Sequence, residues 1–587
     1  MPGLGQFVRE MRRRRVFRTA AIYIVGVWAL LEVIALAFQS FGIPDTALQH
    51  IWLAGIAGFP LAVIFGWRYD ITPAGIVRTP PAGAADTTDL NLRKPDYIIL
   101  VSLIAVAVIF AGSTINEIRQ GPLRGAGPWY AAADLATAIA VLPLENLSGD
   151  TGQEFLSAGL HGALITSLSR ITQFRVTSRF SSRRVTGDMS LADIREMLGV
   201  DKILSGSVMR EGDQVRVNVT LVDAQTEQLL WTESFTREFD GLISMQNEVA
   251  SAVAREVKVQ LTPDEERQLA VTDGPDSVTY EAYLKGMFQL HKGSPRGYRR
   301  AIEIFTEAVE NDPTSALAYA GLAIGYSQLG HSPYPVAGAY PRAKEAAQRA
   351  LEYDSDLAEA YLAVGMYKIY YEWDFAGGEE AFLRALELNP SLVDAHYHYA
   401  WLLELLLRDE EAIEYGEYTT ELNPLSPFYT AWLADQYRDA GMFEQAIAEA
   451  QTTIGLNPNY PVAWLALGQT YLDMGRVDEA IEAHEHLRNN RFWGFAFAAT
   501  LATADRDEDA AAVLEFVHKR ENNPFTLSLI YGGLEDREET MKWMRAARDE
   551  KIPWFPWLVT WFPQTKSMHD DPRMQQFAAE LGIEFPD

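Results

Sequence analysis

The tripeptide Leu-Asn-Pro stands at Leu388-Asn389-Pro390, again at Leu422-Asn423-Pro424 and again at Leu456-Asn457-Pro458, with 34 residues from one to the next. A fixed short period leaves few folds open. Thirty-four residues hold two helices and their turns, and such a pair cannot bury its apolar face alone, so successive units must stack. Within each period the leucine is placed to pack back on the helix pair, the asparagine accommodates the C-terminal turn and the proline forbids continuation. The tripeptide is therefore structural punctuation and not a catalytic motif.

The unit that begins at Leu456 has the clearest internal pattern. Trp464, Leu467, Gly468 and Tyr471 fall on a first helix, where Gly468 allows close approach of a second; Gly475 starts the turn, and Ala480 sits at the tight crossing. This pattern resembles the tetratricopeptide repeat. Leu433, Ala434, Tyr437, Gly441 and Ala446 repeat it one period earlier, and Tyr399, Ala400 and Ala412 two periods earlier. Looser units precede these, with an inserted loop at HSPYPVAGAY. From Phe492, which stands where the next proline is expected, the pattern decays. The repeats are expected over 275–550. The segment 551–587 resembles the C-terminal cap of tetratricopeptide proteins of the bacterial cyclase-associated type. Its Trp554, Trp557 and Trp561 either cap the stack or form a binding patch.

A different pattern occupies 138–262. A buried strand is expected over 139–144, a turn over 146–150 and a helix over 155–168. A strand at FRVTSR and a short helix over 191–198 follow. Then come three strands divided at Gly212-Asp213 and near 224–227, with Val215, Val217, Val219 and Leu221 on one buried face, and a closing helix over 242–259. In order and in the stretches IAVLPLENLSGD and LGVDKILSGSVMREGDQVRVNVTLVDAQTEQLLW, the segment resembles the amino-terminal α/β domain of TolB and related domains of bacterial cyclases and regulators. ENLSGD has no lysine for a phosphate, and Glu154 and His161, two turns apart on one helix, complete no metal set.

The first fifth of the chain contains apolar runs at 20–41, 51–67 and 97–115, each near the roughly 20 residues that span a bilayer. Three transmembrane helices are expected over 1–119, then a linker over 120–137. Arg12, Arg13, Arg14, Arg15 and Arg18 precede the first run, and Arg68, Arg78, Arg93 and Lys94 lie between the second and third, which assigns both places to the cytoplasm and the main body to the periplasm of a bacterial inner membrane. Glu32 near the middle of the first run is expected to bond to a helix partner or to act as a relay. The runs at FVREMRRRRVFRTAAIYIVGVWALLEV and GFPLAVIFGWRYDITPAGI resemble the membrane module that often precedes these two domains. With 19 residues ahead of position 20, neither a cyclase domain nor a winged-helix domain is expected before it. The fold class expected is thus multi-domain: transmembrane helices, a small α/β domain and an all-α tetratricopeptide solenoid.

Residues 1–119 carry eleven Lys and Arg against eight Asp and Glu, so the overall charge of −29 leaves −32 on the remainder. Such a body repels phosphate backbones, and nucleic acid is not an expected partner. The chain has no cysteine, its histidines have no metal-binding spacing, and no serine stands in a nucleophile elbow, so neither cofactor nor enzyme activity is expected. The resemblance implies a concave groove lined by first helices, with Tyr397, Trp401, Glu404, Phe428, Asp435, Arg438 and Gln469 facing inward. These suit a neutral or basic protein or peptide segment, and the set has no Lys, Arg and Asn cluster to capture a terminal carboxylate. The leading expectation is a membrane-anchored periplasmic scaffold. The alternative is an envelope sensor in which the α/β domain binds a ligand and the membrane helices relay the signal.

Overall fold

The computed structural model describes residues 69–72 and 75–78 and, with gaps at 271–275, 332–334, 491, 505, 520–522, 567 and 584, residues 136–585. The chain divides into two units, Met1–Leu123 and Arg124–Asp587. In the first, strand β1 (Tyr69–Thr72) pairs antiparallel with β2 (Gly75–Arg78). Among the described residues no helix is long and apolar enough to cross a membrane. The expected fold class is corrected accordingly to a small α/β domain followed by an all-helical repeat region, and the inner-membrane and periplasmic placement is withdrawn with it. The apolar runs at 20–41, 51–67 and 97–115, Glu32 and nearly all of the linker lie outside the described residues.

The second unit opens with a six-stranded mixed sheet. β3 (Thr137–Val141) lies parallel to both β5 (Phe174–Val176) and β6 (Lys202–Glu211), and the short β4 (Glu145–Asn146) extends beside β6. β6, β7 (Gln214–Asp223) and β8 (Leu229–Glu238) form an antiparallel meander. On β7, Val215, Val217, Val219 and Leu221 are fully buried, as alternation requires of a strand with one inner face. Gly212, at φ +63, makes the tight turn between β6 and β7.

Helices α1 (Glu154–Ser169) and α4 (Leu242–Glu256) cover that face; α2 (Arg179–Ser182) and α3 (Leu191–Leu198) follow β5. His161 of α1 is buried with its Nε2 2.9 Å from the Val141 carbonyl, so it is a packing residue. α5 (Pro263–Leu269) leads towards the repeats.

The helices then pair. α6 (Ser277–Leu290) and α7 (Pro295–Asn311), α8 (Ala316–Gly330) and α9 (Ala339–Tyr353), and α10 (Ala358–Tyr367) and α11 (Phe375–Leu388) form the first three hairpins. α12 (Val393–Leu405) and α13 (Asp409–Leu422), α14 (Pro427–Asp439) and α15 (Phe443–Leu456), and α16 (Pro461–Asp473) and α17 (Val477–Glu485) form the next three. Each pair closes on a small residue. A Cβ on Gly468 would stand 2.2 Å from the His484 ring of α17, and one on Gly365 would stand 2.4 Å from Phe382 of α11. Ala480 is fully buried at its crossing, Leu467 packs with Ala483 of α17 beside half-buried Trp464 and Tyr471, and the Trp464 indole N–H donates to the Pro458 carbonyl at 2.8 Å.

The three Leu-Asn-Pro motifs end α11, α13 and α15 at the leucine. Each asparagine N–H still bonds back to the carbonyl four residues earlier, but its φ lies between −139° and −152° rather than in the left-handed region. The cause is the proline, which pushes the residue before it towards extended backbone. Past α17 the hairpins α18 (Gly494–Thr503) with α19 (Asp507–His518), and α20 (Pro524–Gly533) with α21 (Arg537–Asp549), continue the stack. α22 (Phe555–Thr560), α23 (Pro563–Lys566) and α24 (Pro572–Leu581) complete the chain.

Candidate binding cavity on the concave face

First helices line the inner face of the stack, and its two halves differ in what covers them. In the later half the cover is the chain itself. Trp401 of α12 is 1 % exposed; its ring lies 5.2, 5.7 and 5.4 Å from those of Trp554, Trp557 and Trp561, and 4.8 Å from Trp432 of α14. The Trp557 indole N–H donates to the Trp401 carbonyl at 3.3 Å. Tyr370, in a single π turn that prolongs α10, stacks on Trp557 at 5.3 Å. The three tryptophans of the tail are thus not an exposed patch but a wedge along the concave face, while the tail also packs on the last hairpin, with Trp554 6.5 Å and Phe562 5.2 Å from Phe525 of α20.

Charged residues lie under the same wedge. Arg438 has its guanidinium 5.9 Å from the Trp561 ring. It is held by Asp435 at 2.9 Å and by Asp439 and Asp473 at 3.1 Å. Burial disfavours its charge, but these three carboxylates outweigh that and keep it protonated. Among the described residues no cation faces Glu404: burial, then Asp439, Asp435 and Asp409, push its carboxyl well above the usual range, against a hydrogen bond with Gln436. Gln469 of α16 is also buried.

The earlier half is open. A cavity of about 670 Å³ runs between the first helices and the α/β domain. Tyr283 and Met287 of α6, Leu317 and Ile324 of α8, Glu359 and Leu362 of α10, Asp394, Tyr397 and His398 of α12, and Phe428 and Tyr429 of α14 line it. Thr166 of α1 and Phe180 of α2 supply the opposite wall. Phe428 is 38 % exposed, and its ring lies 4.9 Å from that of Tyr397. Asp394 accepts the Tyr429 hydroxyl at 2.6 Å, and burial pushes its carboxyl up. His331, half-buried where cavity and wedge meet, is driven down to about 3 by desolvation and stays neutral near pH 7.

Of the seven residues that the repeat pattern turns inward, Tyr397 and Phe428 therefore line the cavity, while Trp401, Glu404, Asp435 and Arg438 lie beneath the tail or beside it. The repeat template gives the inward direction but not the cover, which is a tertiary contact across more than 150 residues. Phe180 and Thr166 lie outside the repeats altogether, so no repeat pattern could have found them.

Two fastenings hold the α/β domain over this cavity. At one, Tyr280 and Leu284 of α6 enter the core of the α/β domain, and Gly159 lets α1 approach so closely that a Cβ there would be 2.9 Å from Leu284. Gln246 donates to the Tyr280 hydroxyl at 2.7 Å, and Arg210 pairs with Glu281 at 3.0 Å. At the other, Asn423 of the second Leu-Asn-Pro accepts the hydroxyls of Ser178 and Ser181, both at 2.6 Å. The Ser178 N–H donates to the Leu422 carbonyl at 2.7 Å, and the Val176 N–H to Ser391, just past the first Leu-Asn-Pro, at 3.2 Å.

Comparisons with known proteins agree with both parts of this architecture. Residues 135–252 match the family described as HilA/YgeH-like transcriptional regulator, second domain, in place of the expected TolB-like domain. Tetratricopeptide repeat families match 371–427 and 437–491. A protein named an adenylate cyclase in Rhizobium meliloti (strain 1021) is 28 % identical over 240 residues, 40 % of this chain and 40 % of that one, so the chain spans about two fifths of that relative's length. Among solved structures, YrrB, a tetratricopeptide protein with an unusual peptide-binding site, is 20 % identical over 36 % of this chain and 97 % of its own, with a TM-score of 0.26. PilF of Pseudomonas aeruginosa is 18 % identical over 39 % and 98 %, also with a TM-score of 0.26. The human IFIT1 dimer with m7Gppp-AAAA is 14 % identical over 58 % and 78 %, with a TM-score of 0.37. The chain thus carries tetratricopeptide repeats, which suggest a protein-interaction scaffold, behind a domain similar to the second domain of HilA/YgeH-like transcriptional regulators.

Proposed function

We propose that the chain is a non-catalytic scaffold that seats a peptide segment of a protein partner in the cavity between the α/β domain and the first helices of the early repeats. One observation carries this reading: an aromatic cavity of about 670 Å³ stays open on the same concave face that the chain's own tail fills further along. Large, rigid rings such as Phe428 and Tyr397 give contact area at little entropic cost, which suits them to anchor a partner side chain. Tetratricopeptide repeats as a class support a protein partner, and the non-catalytic part of the reading rests on the lack of nucleophile and metal patterns in the sequence.

A photo-crosslinking residue placed at Phe428 tests the site, with one at exposed Leu534 as the control. A discrete partner peptide joined at 428 and absent at 534 is the expected outcome. Equal labelling at both positions removes the cavity from the reading. Incubation of the full chain with ATP tests the non-catalytic part, because a relative is named an adenylate cyclase; formation of cyclic AMP would refute it.

A further inference from the structure

Arg179, Arg183 and Arg184 stand within six residues of one another on α2 and the turn after it. With Phe180 and His291 they line a recess of about 360 Å³. Phe180 and His291 also line the large cavity, so recess and cavity share a wall. The Arg184 guanidinium lies 5.1 Å from the Phe180 ring centre, and the Nε of Arg179 is buried with no hydrogen-bond partner.

Two other shielded arginines are matched with acids. Arg438 has three aspartates, and Arg408 has Glu379 and Glu411, each at 2.7 Å. Among the described residues, no carboxylate lies within ion-pair distance of the three arginines of the recess. The local electrostatics agree. Burial lowers Arg179 to about 10, and Arg183 acts in the same direction. A neighbouring acid would act the other way. The strain is held in place because Ser178 and Ser181, which flank Arg179, are bonded to Asn423. A guanidinium group kept partly buried and unpaired is costly unless an anion completes it.

We propose that this recess binds a carboxylate of the peptide seated in the neighbouring cavity, either an acidic side chain or a free carboxyl terminus, so that the α/β domain supplies the anion site and the repeats supply the apolar one. The inference rests on the peptide-binding reading above. It reverses the neutral or basic partner expected from the sequence, because the cations come from α2 and not from the repeat helices. Paired arginine forks match a carboxylate bidentately, which a scattered lysine surface does not.

The test uses the full chain, a displayed library of random twelve-residue peptides with free carboxyl termini, and the variants Arg183→Gln/Arg184→Gln and Phe428→Ala. Both arginines are exposed, so their replacement leaves folding intact. Peptides enriched by the wild type should carry an acid near an aromatic or aliphatic residue. By fluorescence anisotropy they should bind about tenfold or more tightly than counterparts with Gln for Glu or an amidated terminus, about 1.4 kcal/mol per tenfold. The arginine variant should lose this preference and keep the apolar one. If acidic and neutral peptides bind wild type equally, the carboxylate site is overturned while the peptide cavity stands. If peptides with phosphoserine in place of the acid bind and the acidic ones do not, the recess takes phosphate and the proposal fails. If no peptide is enriched, or Phe428→Ala changes nothing, the cavity reading falls as well.

Discussion

The two halves of the concave face are lined by equivalent positions of successive first helices, yet one is filled and the other is open. Trp401 and Tyr397 lie one helical turn apart on α12, and the boundary runs between them: Trp401 is enclosed by Trp554, Trp557 and Trp561, while Tyr397 lines the cavity. A repeat therefore fixes which way a residue points, and the segments that return to the stack decide whether that direction meets solvent, a partner or the chain itself. In the later half the returning segment is the aromatic tail. In the earlier half it is the α/β domain, which stands off at two fastenings and leaves room between them.

The sharpest way to break the contrast is to empty the filled half. Trp401→Ala removes a fully enclosed ring and its contacts with four tryptophans, and should cost about 3–5 kcal/mol in urea unfolding. Hydrogen exchange should rise along α22 with no rise in β7. Protection of α22 equal to that of the wild type would show that the tail is held from elsewhere and that the wedge is not its anchor.

Proton linkage separates the halves next. Glu404, in the filled half, has its carboxyl raised by burial, so the native state holds a proton that the unfolded chain releases, and stability falls as the pH rises above about 4.5. Glu404→Gln should raise the Tm at pH 7–8 and have little effect below pH 4.5, where both states are protonated. His331 in the open half is lowered to about 3 by desolvation. The unfolded chain binds its proton first as the pH falls below 6.5, so it contributes stability at neutral pH that is lost on acidification. His331→Gln should flatten the loss of Tm between pH 6.5 and 5; an unchanged slope would exclude a desolvated neutral His331.

How much of this was legible in the sequence follows from the range of each contact. The alternation of Val215, Val217, Val219 and Leu221 gave β7, and the short helix expected over 191–198 is present as α3, with Ser190 at its N-cap. Gly468 against His484 and Ala480 at the crossing followed from the repeat, because repeat geometry is local. The covering of Trp401 was not legible, because it depends on a segment 156 residues away. The same holds for α2, whose arginines matter only because Asn423 brings that helix to the rim of the cavity. The membrane expectation had a different origin: it rested on apolar runs outside the described residues.

The second Leu-Asn-Pro offers a control within the molecule, since Asn423 and Asn457 occupy equivalent places in adjacent repeats. The Asn423 side chain accepts two hydroxyls of the α/β domain, whereas that of Asn457 accepts the local Asn459 N–H, at 3.1 Å, near solvent. Asn423→Ala leaves two buried hydroxyls without their acceptor and should cost about 1–2 kcal/mol. It should also speed proteolysis within 136–260. Asn457→Ala should change stability by less than about 0.5 kcal/mol. Equal effects from both would mean that the tripeptide acts only as a helix stop and that α2 is positioned by other contacts.

A small expected change in stability falls where the expected change in binding is largest. Phe428 is more than a third exposed, so Phe428→Ala exposes little new apolar surface and should alter unfolding free energy by less than about 1 kcal/mol. Its ring nevertheless stands against Tyr397 and Tyr429 at 4.9 and 5.1 Å, with one side facing the cavity. A partner side chain seated there would lose that contact, and affinity for a selected peptide should fall at least tenfold, as truncation of a central aromatic does at other interfaces. Trp401→Ala gives the opposite pattern, with a large loss of stability and, at temperatures where the variant remains folded, a smaller loss of binding. If the two variants instead scale together, losing binding only in proportion to stability, the open and filled halves form one cooperative core and the cavity has no separate role.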